Sequence, residues 1–226
     1  LFLIMGRLFA ITDIHGCFMP FYELVVNTIK LKKSDQLILL GDYIDRGDQS
    51  REVIDFILDL QKGGFNITTL TGNHEVMLCE SYYNQDLLPL WLLNNGETTL
   101  LSFGIQDIRE IDTHYLDFFT TLEYYRNLGN FVFVHAGFDD LATNPFSDKQ
   151  SMIWECRLSY HNPMLSGKTI IHGHRPKTVS YVKRLIAEKS NVIPIDTGCV
   201  YGKEDGYGVL SALEVNSMAL FSVDGY

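Results

Sequence analysis

The feature that most constrains this chain is the alternation of two hydrophobic periods across its first seventy residues. "RLFAIT" (7–12), "QLILL" (36–40) and "NITTL" (66–70) are short runs that read as strands, the first a nearly continuous apolar run that reads as buried. The segments between them carry helical spacing. "PFYELVVNTIKL" places Phe21, Leu24, Val25 and Ile29 on one side. "REVIDFILDLQ" (51–61) does the same with Val53, Ile54, Ile57, Leu58 and Leu60, and Gly63-Gly64 stops it. Strand and helix alternating at this spacing predict parallel βαβ units. Residues 75–128 read as mostly helical. Strands then follow closely at 131–136, 169–173, 191–196, 207–215 and 218–223, with Asn216-Ser217 as a hairpin turn between the last two. The expectation is an α/β fold with two sheets.

With 226 residues, 46% of them hydrophobic, the chain suits one domain (1–226) with a sizeable core. No linker, repeat or low-complexity tract divides it. A net charge of −10 argues against general nucleic-acid binding, but not against phosphate esters, because bound cations can reverse a local field. Cys17, Cys79, Cys156 and Cys199 are widely spaced, which points to free thiols in a reducing compartment. "LFLIM" is too short for a signal peptide; Met5 reads as the natural start, with residues 1–4 as a non-native leader. No apolar run approaches the ~20 residues of a membrane span. A cytoplasmic protein with no membrane partner is expected, and no feature demands more than a monomer.

Polar residues gather at the strand ends. The first ends in "TDIHG" (Asp13, His15), the second in "GDYIDRG" (Asp42, Asp45, Arg46) and the third in "TGNHE" (Asn73, His74). Later strands end in "HAG" (His135) and "HGH" (His172, His174). Taken singly, each has an ordinary reading: a turn, a helix N-cap at Asn73, a core histidine at His135. Together they should converge, because ligands of α/β sheets bind beyond the carboxyl ends of the strands. Asp, Asn and His without thiolates suit Mn²⁺, Fe or Zn²⁺. The donors outnumber the needs of one four-coordinate ion and fit two ions ~3.5–4 Å apart. Spacing alone leaves His172 and His174 equivalent.

The series "DIHG…GDYIDRG…GNHE…HAG…GH", in this order from residue 13 to about 174, resembles the calcineurin-like metallophosphoesterase superfamily. "GDYIDRG" with "GNHE" is closer to its phosphoprotein phosphatase family, in the short bacterial and phage form, and "IDTGCVYG" (195–202) resembles the bacterial branch. The resemblance implies an α/β/β/α sandwich and two divalent ions, Mn²⁺ first, with Fe or Zn²⁺ as alternatives. Asp13, His15 and Asp42 would hold one ion; Asp42, Asn73, His135 and His174 would hold the other. A hydroxide between the ions would attack phosphorus in line, with no covalent intermediate. Arg46 and Asn73 would bind the phosphate. His74 would protonate the leaving group, with Asp45 behind it. The implied activity is a serine/threonine protein phosphatase, acting also on phosphotyrosine, with phosphorylated proteins or peptides as partners. The alternative is a dinucleoside polyphosphate (diadenosine tetraphosphate) hydrolase.

The same alignment selects His174 over His172, which then packs behind the site and orients its neighbours. It also departs from the family in places. A second phosphate-binding arginine usually stands two positions after a tryptophan; in "IWECR" that place is Cys156, and Arg157 is the substitute. A further histidine two positions after His174 is replaced by Pro176. Tyr82-Tyr83, Phe118-Phe119 and Tyr124-Tyr125 read as helix-face packing, and His114 and His161 as surface residues.

Overall fold

The computed structural model describes residues 6–225, so the leader assigned to residues 1–4 and the start at Met5 lie outside the described residues. Strand β1 (Leu8–Ile11) opens the chain. Leu8 and Ala10 point to one face, Phe9 and Ile11 to the other, and all four are buried. Arg7 fixes its start: its backbone N–H donates to Asp35 Oδ1 at 3.0 Å and its guanidinium to Asp35 Oδ2 at 2.6 Å. Helix α1 (Phe18–Tyr22) follows and loosens into a π-helical turn over Glu23–Thr28, where the Ile29 N–H reaches back to Leu24 O. Then come β2 (Gln36–Leu39), α2 (Ser50–Lys62) and β3 (Asn66–Thr69), close to the predicted spans.

Four helices fill the middle: α3 (Asn73–Tyr83), α4 (Leu88–Leu93), α5 (Gly96–Phe103) and α6 (Thr113–Thr120). The predicted helical stretch ends early, because Tyr125–Leu128 forms a strand, β4, paired antiparallel with β5 (Phe131–Val134) across the turn Gly129-Asn130. Tyr124-Tyr125 therefore lie outside any helix, whereas Phe118-Phe119 pack from α6 as expected. The remaining elements are α7 (Lys149–Trp154), β6 (Thr169–His172), α8 (Val179–Ala187), β7 (Val192–Pro194), β8 (Val209–Glu214) and β9 (Ala219–Asp224). Helix α8 was passed over in the sequence; the Thr178 hydroxyl caps it by accepting from the Tyr181 N–H at 3.2 Å.

The strands form two sheets, in the orders β3-β2-β1-β8-β9 and β4-β5-β6-β7. Pairing is parallel among β1, β2 and β3 and among β5, β6 and β7, as the βαβ pattern requires, and antiparallel at β4, β8 and β9. The sheets face each other across Leu8, Ala10, Ile38 and Leu213 on one side and Phe133, Ile171 and Ile193 on the other. Phe9, Ile11, Leu37 and Leu39 pack outward under the helical layer of α1–α6. Val132, Val134 and Ile170 pack outward against Phe138, Met152 and Leu165. Strands buried on both faces explain the apolar runs seen in the sequence. The result is the expected two-sheet α/β sandwich, and it brings the carboxyl ends of β1, β2, β3, β5 and β6 to one rim. None of the helices among the described residues is long and apolar enough to cross a membrane.

Candidate metal centre

The three loops after β1, β2 and β3 are laced together by their own backbones. Asp13, His15 and Gly16 N–H groups donate to the carbonyls of Gly41, Asp42 and Tyr43 at 3.1, 2.9 and 2.8 Å. Glu75 ties in the third loop: its Oε2 accepts from the N–H of Asp42 and of Gly72, both at 2.9 Å, and its Oε1 accepts from the Tyr43 N–H at 2.8 Å. This lacing bends the chain hard. Asp13, His15, Asp42, Asp45, Arg46 and His174 all hold left-handed backbone conformations, with φ between 47° and 72°. Such residues are uncommon and gather where side chains must be aimed.

The aim is one focus. Asp42 Oδ2 lies 3.5 Å from His15 Nε2, 3.4 Å from His135 Nε2 and 4.0 Å from His74 Nε2. His135 Nε2 lies 3.1 Å from both Asn73 Oδ1 and His174 Nδ1. Asp13 Oδ1 sits 4.0 Å from His15 Nε2, is buried and has no hydrogen-bond partner among the described residues. The six sequence-predicted ligands thus meet, and Asp42 stands between two groups, Asp13 with His15 and Asn73 with His135 and His174. Asn73 does not act as an N-cap, since α3 begins on it and its carbonyl oxygen faces His135.

The ring hydrogen bonds suit metal binding. His15 Nδ1 donates to Ile44 O at 2.8 Å and His135 Nδ1 to Leu40 O at 3.1 Å, which leaves each Nε2 as a lone pair facing the focus. Burial pushes His15 well below the usual imidazole range, aided by His74 and Arg46. Burial also lowers His135, and together with the nearby His135 takes His174 down to about 2. His74 behaves oppositely. Burial opposes its charged form, but the Asp42 carboxylate and the hydrogen bond and charge of Asp45 outweigh it and raise the pKa. Three neutral imidazoles and one favoured as imidazolium is the division expected of ligands and a proton donor.

The carboxylates complete the fit. Burial pushes Asp42 well above the carboxylate range, and Asp13 and Glu75 push the same way. Asp196, buried beside Asp13, is raised likewise. So many acids, together and out of water, call for compensating positive charge, and the oxygen and nitrogen donors here suit divalent cations that would supply it.

His74 and Asp45 form a buried pair, with Nδ1 to Oδ2 at 2.7 Å, and His74 Nε2 has no hydrogen-bond partner among the described residues. Trp91 Nε1 also donates to Asp45 Oδ2 at 2.8 Å, and the Thr99 hydroxyl donates to Oδ1 at 2.6 Å. The sequence singles out neither Trp91 nor Thr99. No local pattern marks either, because both reach Asp45 from about fifty residues away. Glu75 was legible in principle, three residues after Gly72 at the start of a helix, as half of a capping box.

Arg46 is half-buried, and its Nη1 donates to His15 Nε2 at 2.6 Å. Arg157 is not brought to this cluster. Its Nε and Nη2 donate to Glu155 Oε2 at 3.2 and 2.9 Å, with Asp139 at 3.8 Å. His172 is buried behind the ligands; its Nδ1 donates to Gly173 O at 3.0 Å, and burial takes it down to about 4. Between it and His174, a Cβ on Gly173 would overlap Asp13 Oδ2 and Thr12 Oγ1, so only glycine lets this loop close over Asp13. His114 and His161 are exposed, as expected.

The profile of the calcineurin-like phosphoesterase family matches residues 6–203. The chain belongs to this family. As a family member it is a metal-dependent phosphoesterase, and the family works with a dinuclear divalent centre. Among its relatives is the asymmetrical bis(5'-nucleosyl)-tetraphosphatase PrpE of Anoxybacillus flavithermus, 27% identical over 94% of this chain and 92% of that protein. The fold resembles that of a candidate diadenosine tetraphosphatase, with a TM-score of 0.69 at 21% identity, covering 100% of this chain and 96% of the other. It also resembles a serine/threonine phosphatase from Saccharomyces cerevisiae, with a TM-score of 0.67 at 14% identity, covering 98% of this chain and 80% of the other.

Proposed function

We propose that this phosphoesterase cleaves bis(5'-nucleosyl) tetraphosphates asymmetrically, into a nucleoside triphosphate and a nucleoside monophosphate. The observation that carries this reading is the match, along nearly the whole of both chains, to a relative bearing that name. The likeness to the solved serine/threonine phosphatase, at 14% identity, is one of fold. The reading reverses the order expected from the sequence motifs, which placed phosphoproteins first.

In this reading Asp13, His15 and Asp42, and Asp42, Asn73, His135 and His174, hold two divalent ions, Mn²⁺ first. When bound, these supply the charge that polarises the phosphate and acidifies the attacking water. Arg46 swings from His15 to span two phosphate oxygens and the charge they gain during displacement. Asn73 presents its amide N–H to a third oxygen. The water oxygen bonds to phosphorus, the bond to the bridging oxygen breaks, and the triphosphate departs. His74 stands with Nε2 free to protonate it, held in orientation by Asp45, Trp91 and Thr99. A cytoplasmic location suits both the substrate and four cysteines that are free.

One observation favours phosphoproteins as a second reading. A buried His–Asp donor pair contributes most when the leaving group is a serine or threonine alkoxide, and little when it is a polyphosphate. Initial rates of the Mn²⁺-loaded enzyme on diadenosine tetraphosphate and on a phosphoserine peptide decide between them. ATP and AMP in equal amounts are expected. Two ADP would refute asymmetrical cleavage, and a higher kcat/KM on the peptide would put the phosphoprotein first.

A further inference from the structure

Beside the metal centre lies a cavity of about 430 Å³ lined by Pro176, Tyr201, Gly202 and Tyr207. None of these residues is a ligand or part of the His74–Asp45 pair. Two tethers join it to the chemistry. The Arg46 guanidinium lies 5.9 Å from the centre of the Tyr201 ring. Pro176 stands two residues after His174, and two residues span at most about 7 Å of chain. The residue between them, Arg175, is exposed, and among the described residues its side chain makes no hydrogen bond or ion pair.

The pocket is built rather than incidental. Gly198 O accepts from both Tyr201 N–H and Gly208 N–H, each at 3.0 Å, so the loop from 198 to 208 closes on itself. Gly198 holds φ +74°, and a Cβ there would stand 3.2 Å from both Tyr201 Cδ2 and Tyr207 Cβ. Glycine at that point lets the two tyrosines crowd one backbone position and spread their rings around the cavity. The volume falls within the roughly 300–1,000 Å³ of small-molecule sites. Two phenol rings and a proline ring offer flat apolar walls. Arg46 links the Tyr201 ring to the ligand His15, and Arg175 stands in the chain between His174 and Pro176, in a protein whose net charge is −10. Flat walls at one end and guanidinium groups at the other match an aromatic base joined to a run of phosphates.

We propose that this pocket takes a nucleobase, stacked on Tyr201 and Tyr207, while Arg175 and Arg46 hold the phosphates that lead from it to the metal centre. This rests on the nucleotide reading above and names the subsite that would select the substrate.

The test is calorimetric titration of the Mn²⁺-loaded protein with AMP and with inorganic phosphate, in wild type, Tyr207→Ala and Tyr207→Phe. Circular dichroism confirms that each variant is folded. Wild type should bind AMP at least tenfold more tightly than phosphate, a difference of about 1.4 kcal/mol. Tyr207→Ala should lose most of that preference and Tyr207→Phe should keep it. An unchanged AMP preference in Tyr207→Ala, or none in wild type, overturns the base pocket. If wild type hydrolyses diadenosine tetraphosphate while Tyr207→Ala keeps its AMP preference, only the pocket assignment falls. If wild type leaves diadenosine tetraphosphate intact, the nucleotide reading falls with it.

Discussion

The loops after β1, β2 and β3 and the loops after β6 and β7 face the same focus but are held differently. In the first group almost every polar atom is tied to another: Glu75 to three backbone N–H groups, Asp45 to Trp91, Thr99 and His74, His15 to Ile44. In the second group the ligand His174 is anchored to Asp13, with its N–H 2.9 Å from Oδ2, and the residues just beyond it open outward as Arg175 and the Tyr201–Tyr207 pocket. The difference separates two tasks. The inner loops fix geometry for bond breaking and admit little change. In the proposed reading the outer loops meet the rest of the substrate, where specificity would be set.

The largest expected effect breaks the inner group at its centre. Asp42→Asn should lower kcat/KM by about 10³ or more on every substrate, with less than two equivalents of metal retained by elemental analysis; full metal content with normal turnover would remove Asp42 from the shared position. Next comes His74→Asn, which should keep both metals. It should lose about 10²–10⁴ in kcat on alkyl phosphates and much less on polyphosphates. Equal losses on both, with metal intact, would sink the proton-donor role. Third is Trp91→Phe, which removes one donor from Asp45 at a distance from the substrate. Its kcat should fall roughly tenfold and its stability by about 1–3 kcal/mol in urea titration. The smallest effects test the outer group. Arg175→Ala should raise KM for diadenosine tetraphosphate by about tenfold, since a phosphate contact is worth roughly 1.5–3 kcal/mol. Arg157→Ala, whose partners are half-exposed acids, should change KM by less than about twofold. The opposite ranking would return the phosphate to Arg157.

The inner group was also the more legible in the sequence. Its residues follow short strands within a few positions, so "TDIHG", "GDYIDRG" and "GNHE" announced where the side chains would stand. Strand β4 was missed because "YRNL" sets two polar residues side by side and so lacks the period-2 alternation of a strand, though Gly129-Asn130 is a recognisable hairpin turn. Helix α8 carried its own signal, Val179, Val182 and Ile186 at helical spacing behind the Thr178 cap. The bonds of Trp91 and Thr99 to Asp45 were illegible, because they depend on how α4 and α5 pack over the β2 loop. The choice of His174 over His172 came from alignment, and the geometry gives it a reason: His174 Nδ1 meets His135, while His172 bonds back to the Gly173 carbonyl.

The left-handed backbone of the site has a consequence for heat tolerance. A non-glycine residue in that conformation costs about 1–2 kcal/mol relative to the usual one, and glycine avoids most of this. Arg46, at φ 69°, is half-buried and its side chain donates to His15, so Arg46→Gly should gain about 1 kcal/mol and raise Tm by about 2–4 °C while activity collapses. Calorimetric scans of the two proteins would show it; a lower Tm in the variant would mean that the turn carries no such tension. A screen for thermostability alone would therefore tend to discard this enzyme's working residues, and any engineered lineage must be selected for turnover at every round.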